Sequence, residues 1–137
     1  MLLEGMRILL AEDDDDLRDL LVESLEEMGA KVVAASGGRQ ALALFLERLG
    51  EIDAIISDMR MPAGDGIEFA QGVQETLRGL SETGGRGKVV FVIYSGYSEA
   101  DPEALLRAGV DAIFGKPVAL ESLAVRLREL TQSRASD

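Results

Sequence analysis

The sequence contains no cysteine and no histidine. Disulfide bonds, thiolate chemistry, a structural zinc site and a histidine general base are therefore excluded, since each needs one of these side chains. No apolar run approaches the length that spans a bilayer, and no basic segment precedes a long apolar stretch at the N-terminus. We therefore expect a cytoplasmic protein whose chemistry rests on carboxylates, lysine, serine, tyrosine or a bound metal ion.

Basic side chains are scarce. The chain has 14 Lys and Arg residues against 25 Asp and Glu residues, which gives a formal net charge of −11. Such a surface repels duplex nucleic acid and anionic membranes, so neither is expected as a direct partner. The length of 137 residues fits a single domain over residues 1–137, and we expect a core over about 6–131 and a polar tail at 132–137.

Short apolar runs alternate with longer segments of helical period, a pattern typical of repeated βα units around a parallel sheet. Strands are predicted at residues 8–11, 31–35, 53–57, 88–94 and 112–115. Amphipathic helices are predicted at 17–28, 41–49, 67–80, 102–108 and 120–130, with a polar connection at 81–87 and a fraying tail from 131. The fold class predicted from this pattern is α/β.

Four predicted strands end in residues suited to phosphoryl chemistry. These ends carry the pair Glu12-Asp13, then Asp58, Ser95 and Lys116. In a parallel sheet the carboxyl ends of the strands share one edge, which is where open α/β folds place their ligands. Three carboxylates, a hydroxyl and an ammonium group would then face one crevice.

Three carboxylates in one crevice repel one another, so they must take up protons or hold a cation. A cation is favoured, and because the available ligands are oxygens, Mg²⁺ fits best and Mn²⁺ is possible. Asp58 is the best placed nucleophile for phosphorus, while Lys116 would offset phosphoryl charge and Ser95 would donate a hydrogen bond. Gly87-Lys88 does not complete a Walker nucleotide-binding motif, because the glycine required five residues before Gly87 is replaced by Glu82. Without a nucleotide site, the phosphoryl donor must already be activated, as a phosphoramidate or an acyl phosphate.

The chain resembles the receiver domains of two-component response regulators over essentially its whole length. The motifs that carry the resemblance are Glu12-Asp13, Asp58-Met59-Arg60-Met61-Pro62, Asp65-Gly66, Ser95-Gly96, Ala108-Gly109 and Lys116-Pro117. Each motif is weak alone, but their order and their places at strand ends are jointly specific. The resemblance implies a flavodoxin-like (βα)5 three-layer sandwich with strand order 2-1-3-4-5, for which a receiver domain is itself a standard example.

The resemblance also implies a role for each site residue. Asp58 would accept a phosphoryl group from the phosphohistidine of a histidine kinase or a histidine phosphotransfer protein. Asp13 would bind Mg²⁺ directly, Glu12 would act mainly through bound water, and Asp58 and the backbone carbonyl of Arg60 would complete the protein ligands. The chain would be a phosphoacceptor switch rather than a classical enzyme, a monomer or weak dimer that contacts a downstream protein target.

One position departs from the family pattern. Counting back from Lys116, the usual switch tyrosine or phenylalanine falls on Ile113, and Phe114 lies on the opposite face of the strand. In the family that aromatic side chain swings inward on phosphorylation, so Ile113 puts the usual conformational readout in doubt. The resemblance further implies a cis peptide bond between Lys116 and Pro117.

Other functions stay open at this point. A small Mg-dependent phosphatase would use Asp13 as nucleophile and Asp15 as acid, although such enzymes usually carry Thr or Val at the position of Leu17. A degenerate receiver could act only as a docking module, which the intact site opposes. The remaining acids at 14–16 are interpreted as the start of a helix, where the dipole stabilises negative charge. Arg60 and Tyr97 flank the site and are candidates to control the access of water.

Overall fold

The computed structural model describes residues 1–82, 89–96 and 101–135. The strands in these ranges are β1 (Arg7–Ala11), β2 (Lys31–Ala35), β3 (Ala54–Asp58), β4 (Val90–Ser95) and β5 (Ala112–Gly115). The helices are α1 (Asp15–Glu27), α2 (Gly38–Glu47), α3 (Gly66–Glu82), α4 (Pro102–Arg107) and α5 (Leu120–Ala135). Each strand is followed by a helix, as the alternating sequence pattern predicts.

The strands form one parallel sheet of order β2-β1-β3-β4-β5, which confirms the predicted flavodoxin-like fold. In register, Ala11 lies beside Ser57, and Asp58 lies beside Tyr94. At the far side of the sheet Ser95 lies beside Gly115. The carboxyl ends of β1, β3, β4 and β5 therefore meet at one edge.

Helices cover both faces of the sheet and give three layers. Phe45 of α2 belongs to one buried core, and Leu25 of α1 belongs to the other. Neighbouring residues of β4 supply both cores, with Phe91 in the first and Val92 in the second, because successive side chains of a strand point to opposite faces. Burial on both faces explains why the central strands are continuously apolar.

The predicted start of α4 is confirmed. The Asp101 side chain accepts a hydrogen bond from the Glu103 N–H at 3.1 Å, and Pro102 is the first helical residue. Proline is favoured at that position because its missing N–H would have no partner within the helix. Gly109 follows the helix with a φ of +93°, a conformation that glycine adopts without steric cost.

Two predicted helix ends are wrong. Helix α2 ends at Glu47, so Leu49, predicted on its buried face, lies beyond the helix and is 39% exposed. Helix α3 continues to Glu82, so residues 81 and 82, predicted as part of a connection, are helical. Residues 83–87 of that predicted connection, and Lys88 at the predicted start of the fourth strand, lie outside the described residues.

The chain is also ordered beyond the predicted core at both ends. Leu3 is fully buried, and its N–H donates to the carbonyl of Met28 at 2.8 Å. Helix α5 continues to Ala135, where the sequence predicts a fraying polar tail. Within this extension the Thr131 hydroxyl donates to the Leu127 carbonyl at 2.9 Å, which supplies a local partner for a polar side chain.

The N-terminus of α2 is joined to the loop that follows β3. The Gly38 N–H donates to the Gly64 carbonyl at 2.9 Å, and the Arg39 N–H donates to the Ala63 carbonyl at 3.1 Å. A Cβ on Gly38 would lie 2.5 Å from the Gly64 carbonyl oxygen, a separation that two backbones cannot relieve without moving apart. Glycine at position 38 therefore permits the contact that fixes this loop.

Replacing Gly38 with alanine should lower the free energy of unfolding by about 1–3 kcal/mol, the usual cost of overpacking. The matched control is Gly79→Ala in α3, where a new Cβ meets nothing within 4 Å. Because glycine is a poor helix former, that control should gain up to about 1 kcal/mol. Urea unfolding of both variants measures the difference, and equal effects would contradict the role given to Gly38.

An ion pair joins the starts of β1 and β3. Nε and Nη2 of Arg7 donate to Oδ2 and Oδ1 of Asp53, both at 3.1 Å, and the Arg7 backbone N–H donates to Oδ2 at 2.8 Å. Burial alone would raise the pKa of the Asp53 carboxyl, but the hydrogen bonds and charge of Arg7 outweigh it and hold that pKa below its usual value. This pair lies at the edge of the sheet opposite Asp58.

The Arg7–Asp53 pair should stabilise the fold in a pH-dependent way. Because the folded pKa of Asp53 lies below its unfolded value of about 3.9, the stabilisation is complete above that pH and is lost as the pH falls through the folded pKa. Asp53→Asn should therefore cost about 1 kcal/mol or less at pH 7, since the pair is partly exposed. Urea unfolding near pH 3 should show a smaller difference from wild type; a constant difference would contradict this account.

Candidate functional site

Three acidic side chains meet at the carboxyl edge of the sheet. One carboxylate oxygen from each of Glu12, Asp13 and Asp58 lies within 4.8 Å of the others. Asp58 ends β3, and Glu12-Asp13 directly follows β1, the strand beside it. Glu12 and Asp58 are buried, whereas Asp13 is exposed. The structure thus brings together the three predicted metal-binding side chains.

The three carboxylates are in electrostatic conflict. Loss of hydration raises the pKa of the Asp13 carboxyl, and the adjacent Glu12 carboxylate raises it further. A divalent cation would relieve that conflict, and a set of carboxylate oxygens is what Mg²⁺ and Mn²⁺ prefer. The residues present therefore fit the predicted ion.

Lys116 lies next to Asp58. Its Nζ donates to Oδ2 of Asp58 at 3.1 Å, and the Asp58 side chain is only 8% exposed while that of Lys116 is 32% exposed. Lys116 follows β5, and its backbone N–H donates to the Ser95 carbonyl at 2.9 Å. The Lys116-Pro117 peptide bond is cis, as the resemblance implies. Residues 58 positions apart are thus brought into contact by the parallel sheet.

Ser95 and Arg60 are placed at the same edge. Ser95 is the last residue of β4 and is partly buried, and Arg60, which is exposed, lies two residues beyond Asp58 in the loop after β3. This loop is fixed by Met59, whose N–H donates to the Tyr94 carbonyl at 3.1 Å and whose carbonyl accepts from the N–H of Gly66 at 2.9 Å. Tyr97, the other predicted flanking residue, lies outside the described residues.

Tyr94 is a site residue that the sequence analysis missed. Its hydroxyl donates to Oε1 of Glu12 at 2.6 Å, and its ring centroid lies 5.2 Å from Nζ of Lys116. Burial raises the pKa of the Tyr94 hydroxyl, as do its hydrogen bond to Glu12 and the surrounding carboxylates, so the group stays protonated and acts as a donor. The available signal was a phenol at the end of an apolar run, directly before Ser95.

The acids at 14–16 lie at the N-terminus of α1, which confirms their interpretation as the start of a helix. Oδ1 of Asp14 accepts a hydrogen bond from the Leu17 N–H at 3.0 Å. Asp15 is in the first helical turn, its side chain is 81% exposed, and it pairs with Arg18 at 2.6 Å. Asp15 is therefore an exposed surface acid that is absent from the acidic group, which disfavours the phosphatase alternative.

Ile113, at the predicted switch position, and its neighbour Phe114 lie on opposite faces of β5. Ile113 is 41% exposed, whereas Phe114 is partly buried against the core beneath α1 and α5. The structure therefore has an aliphatic side chain at the surface where the family usually carries an aromatic one.

Across residues 1–82, 89–96 and 101–135, no helix is long and apolar enough to cross a membrane.

Comparison with known proteins agrees with this geometry. The family model for the response regulator receiver domain matches residues 8–128. The response regulator MprA of Mycolicibacterium vanbaalenii is 33% identical over 132 residues, which cover 96% of this chain and 53% of that protein. The chain therefore spans about half the length of this relative.

Solved structures show the same fold. The response regulator TrrA of Thermotoga maritima, in complex with Mg²⁺ and BeF, is 26% identical with a TM-score of 0.75, over 91% of this chain and 98% of that one. The receiver domain of Ssk1 from Saccharomyces cerevisiae, crystallised with the histidine phosphotransfer protein Ypd1, is 22% identical with a TM-score of 0.82, over 96% of this chain and 92% of that one. The chain belongs to the response regulator receiver domains, the phosphoacceptor domains of two-component systems.

Proposed function

We propose that Asp58 accepts a phosphoryl group from the phosphohistidine of a histidine kinase or a histidine phosphotransfer protein. In this proposal Glu12, Asp13, Asp58 and the backbone carbonyl of Arg60 hold Mg²⁺, with Mn²⁺ as a possible substitute. The observation that carries it is the contact of the Lys116 ammonium with a buried Asp58 carboxylate, beside two further acids. A cation and an acidic pair around one carboxylate suit phosphoryl transfer to that carboxylate.

The proposed reaction uses each of these groups. An oxygen of Asp58 forms a bond to phosphorus as the P–N bond of phosphohistidine breaks, and the bonding electrons stay on the imidazole nitrogen, which then takes a proton. Lys116 exchanges its hydrogen bond with Asp58 for one with a phosphoryl oxygen, and the Ser95 hydroxyl donates to another. A bound divalent ion supplies the positive charge that lets a carboxylate approach a phosphoryl group.

The comparisons support the components of this proposal. TrrA holds Mg²⁺ and BeF, and the Ssk1 receiver is bound to a histidine phosphotransfer protein. We extend both features to this chain, and we treat residues 1–137 as one receiver domain that is not a turnover enzyme. Phosphorylation would change the surface that contacts a downstream protein target, because it adds charge and draws Lys116 away from Asp58.

Asp58→Asn should abolish phosphorylation. Incubated with acetyl phosphate and Mg²⁺, wild type should gain one base-labile phosphoryl group, which intact-mass measurement detects, and the variant should gain none because it lacks the nucleophilic oxygen. Asp16→Asn, which removes an exposed acid of α1, is the matched control and should be phosphorylated like wild type. Sustained hydrolysis of a phosphoester that survives Asp58→Asn but not Asp13→Asn would favour the phosphatase instead.

Asp13→Asn should separate repulsion from metal binding. In EDTA the variant should unfold a few degrees above wild type, because one of three mutually repelling carboxylates is gone. Mg²⁺ should raise the unfolding temperature of wild type, since a ligand that binds the folded state stabilises it, and should leave the variant almost unchanged. Thermal unfolding monitored by circular dichroism measures both effects. Equal stabilisation of the two proteins by Mg²⁺ would show that the ion binds elsewhere.

A further inference from the structure

The buried side chain of Tyr94 contacts both Glu12 of the acidic group and Lys116. It lies on β4, is only 1% exposed, and belongs to the core beneath α1 and α5. In register it sits between Asp58 on β3 and Phe114 on β5. From this position its hydroxyl reaches Glu12, and the Lys116 ammonium lies over its ring.

The hydrogen bonds of Glu12 fix both of its oxygens. Oε1 accepts from the Tyr94 hydroxyl at 2.6 Å, and Oε2 accepts from the Asp14 backbone N–H at 3.0 Å. A carboxylate oxygen has two acceptor positions, so each oxygen keeps one position for a metal ion or its water. Glu12 is itself only 1% exposed, so bulk water does not replace these partners. The phenol therefore sets the orientation of an acid that belongs to the metal-binding group.

The hydroxyl and the ring of Tyr94 have separate contacts. The ring faces Lys116 and packs in the core, and a phenylalanine would keep both of these contacts. The hydroxyl contacts Glu12, and phenylalanine would remove only that hydrogen bond. The chain thus offers a substitution that tests the hydroxyl with little change in packing.

We propose that Tyr94 is a positioning residue of the metal site, whose hydroxyl holds Glu12 in the orientation that binds Mg²⁺. This inference rests on the proposed function, because it assigns the acidic group to a metal ion. Tyr94 acts through Glu12 and makes no contact with the phosphoryl group. Loss of the hydroxyl therefore weakens metal binding but leaves the rate of phosphorylation at saturating metal unchanged.

The first test uses Mn²⁺ as the probe, with the electron paramagnetic resonance signal of free Mn²⁺ as the readout and Mg²⁺ as competitor. Tyr94→Phe should bind about tenfold more weakly than wild type, the lower end of the usual cost of losing a partner that orients a metal ligand. Thr76→Val is the matched control, because its hydroxyl donates to the Gly72 carbonyl within α3. The control should bind Mn²⁺ like wild type.

The second test separates positioning from a general structural effect. With acetyl phosphate as donor, Tyr94→Phe should be phosphorylated more slowly than wild type at low Mg²⁺ and at the wild-type rate at saturating Mg²⁺. In a Glu12→Gln background, Tyr94→Phe should cause much less than its tenfold loss of Mn²⁺ affinity, because effects transmitted through one contact are not additive. A slow rate that persists at saturating Mg²⁺, or fully additive losses, would contradict the proposal.

A third measurement needs no substitution at Tyr94. The chain has two tyrosines and no tryptophan, so Tyr97→Phe leaves Tyr94 as the single tyrosine. The fluorescence emission of Tyr94 should change as Mg²⁺ binds, and Glu12→Gln should abolish the change.

The Mn²⁺ measurements distinguish the failure of this inference from the failure of the proposed function. If wild type binds Mn²⁺ while Tyr94→Phe is folded and binds it equally well, the role of Tyr94 is overturned and the proposed function stands. If wild type binds neither ion, the proposed function is overturned and this inference with it.

Discussion

Parallel pairing of the strands is the constraint on which the site depends. It brings the ends of β1, β3, β4 and β5 to one edge, and it places Nζ of Lys116 3.1 Å from Oδ2 of Asp58. A slip of one residue in any pairing would turn the side chains of that strand to the opposite face. Such a slip would move each apolar side chain out of the close-packed core that it fills and into the other core, at a cost in packing. The two cores therefore fix the positions of the charged residues that they do not contain.

Charge balance explains why the site can respond to a phosphoryl group. A buried carboxylate at Asp58 is costly without a cation, and Lys116 provides one at close range. A phosphoryl group on Asp58 would compete for the same ammonium, so the surroundings of β4 and β5 must adjust. Ile113 lacks the aromatic ring of the usual switch, so in the proposed function other side chains would transmit this adjustment. Tyr94 contacts both Lys116 and Glu12, so a movement of Lys116 would change the surroundings of the Tyr94 ring.

The parallel sheet and the shared edge of its strand ends were predictable from patterns along the chain, whereas the strand order, which places β1 beside β3, was implied only by the resemblance to receiver domains. Alternating apolar segments indicate a parallel sheet, and its geometry then brings Glu12, Asp13 and Asp58 together. The partners of Tyr94 were not predictable, since an apolar strand gives no sign of which residue can reach across to a neighbouring loop. The extension of α5 to Ala135 was missed for a related reason: polar composition predicts fraying, whereas continued helical hydrogen bonding depends on the preceding turns.

The most direct measurement of the central claim is the chemical identification of the phosphorylated residue. Borohydride reduces an aspartyl phosphate to homoserine, and peptide mass mapping then locates the modified position. After treatment with acetyl phosphate and Mg²⁺, the account predicts homoserine at Asp58 and at no other acid. Homoserine at Asp13, or none at all in folded protein at saturating Mg²⁺, would contradict it.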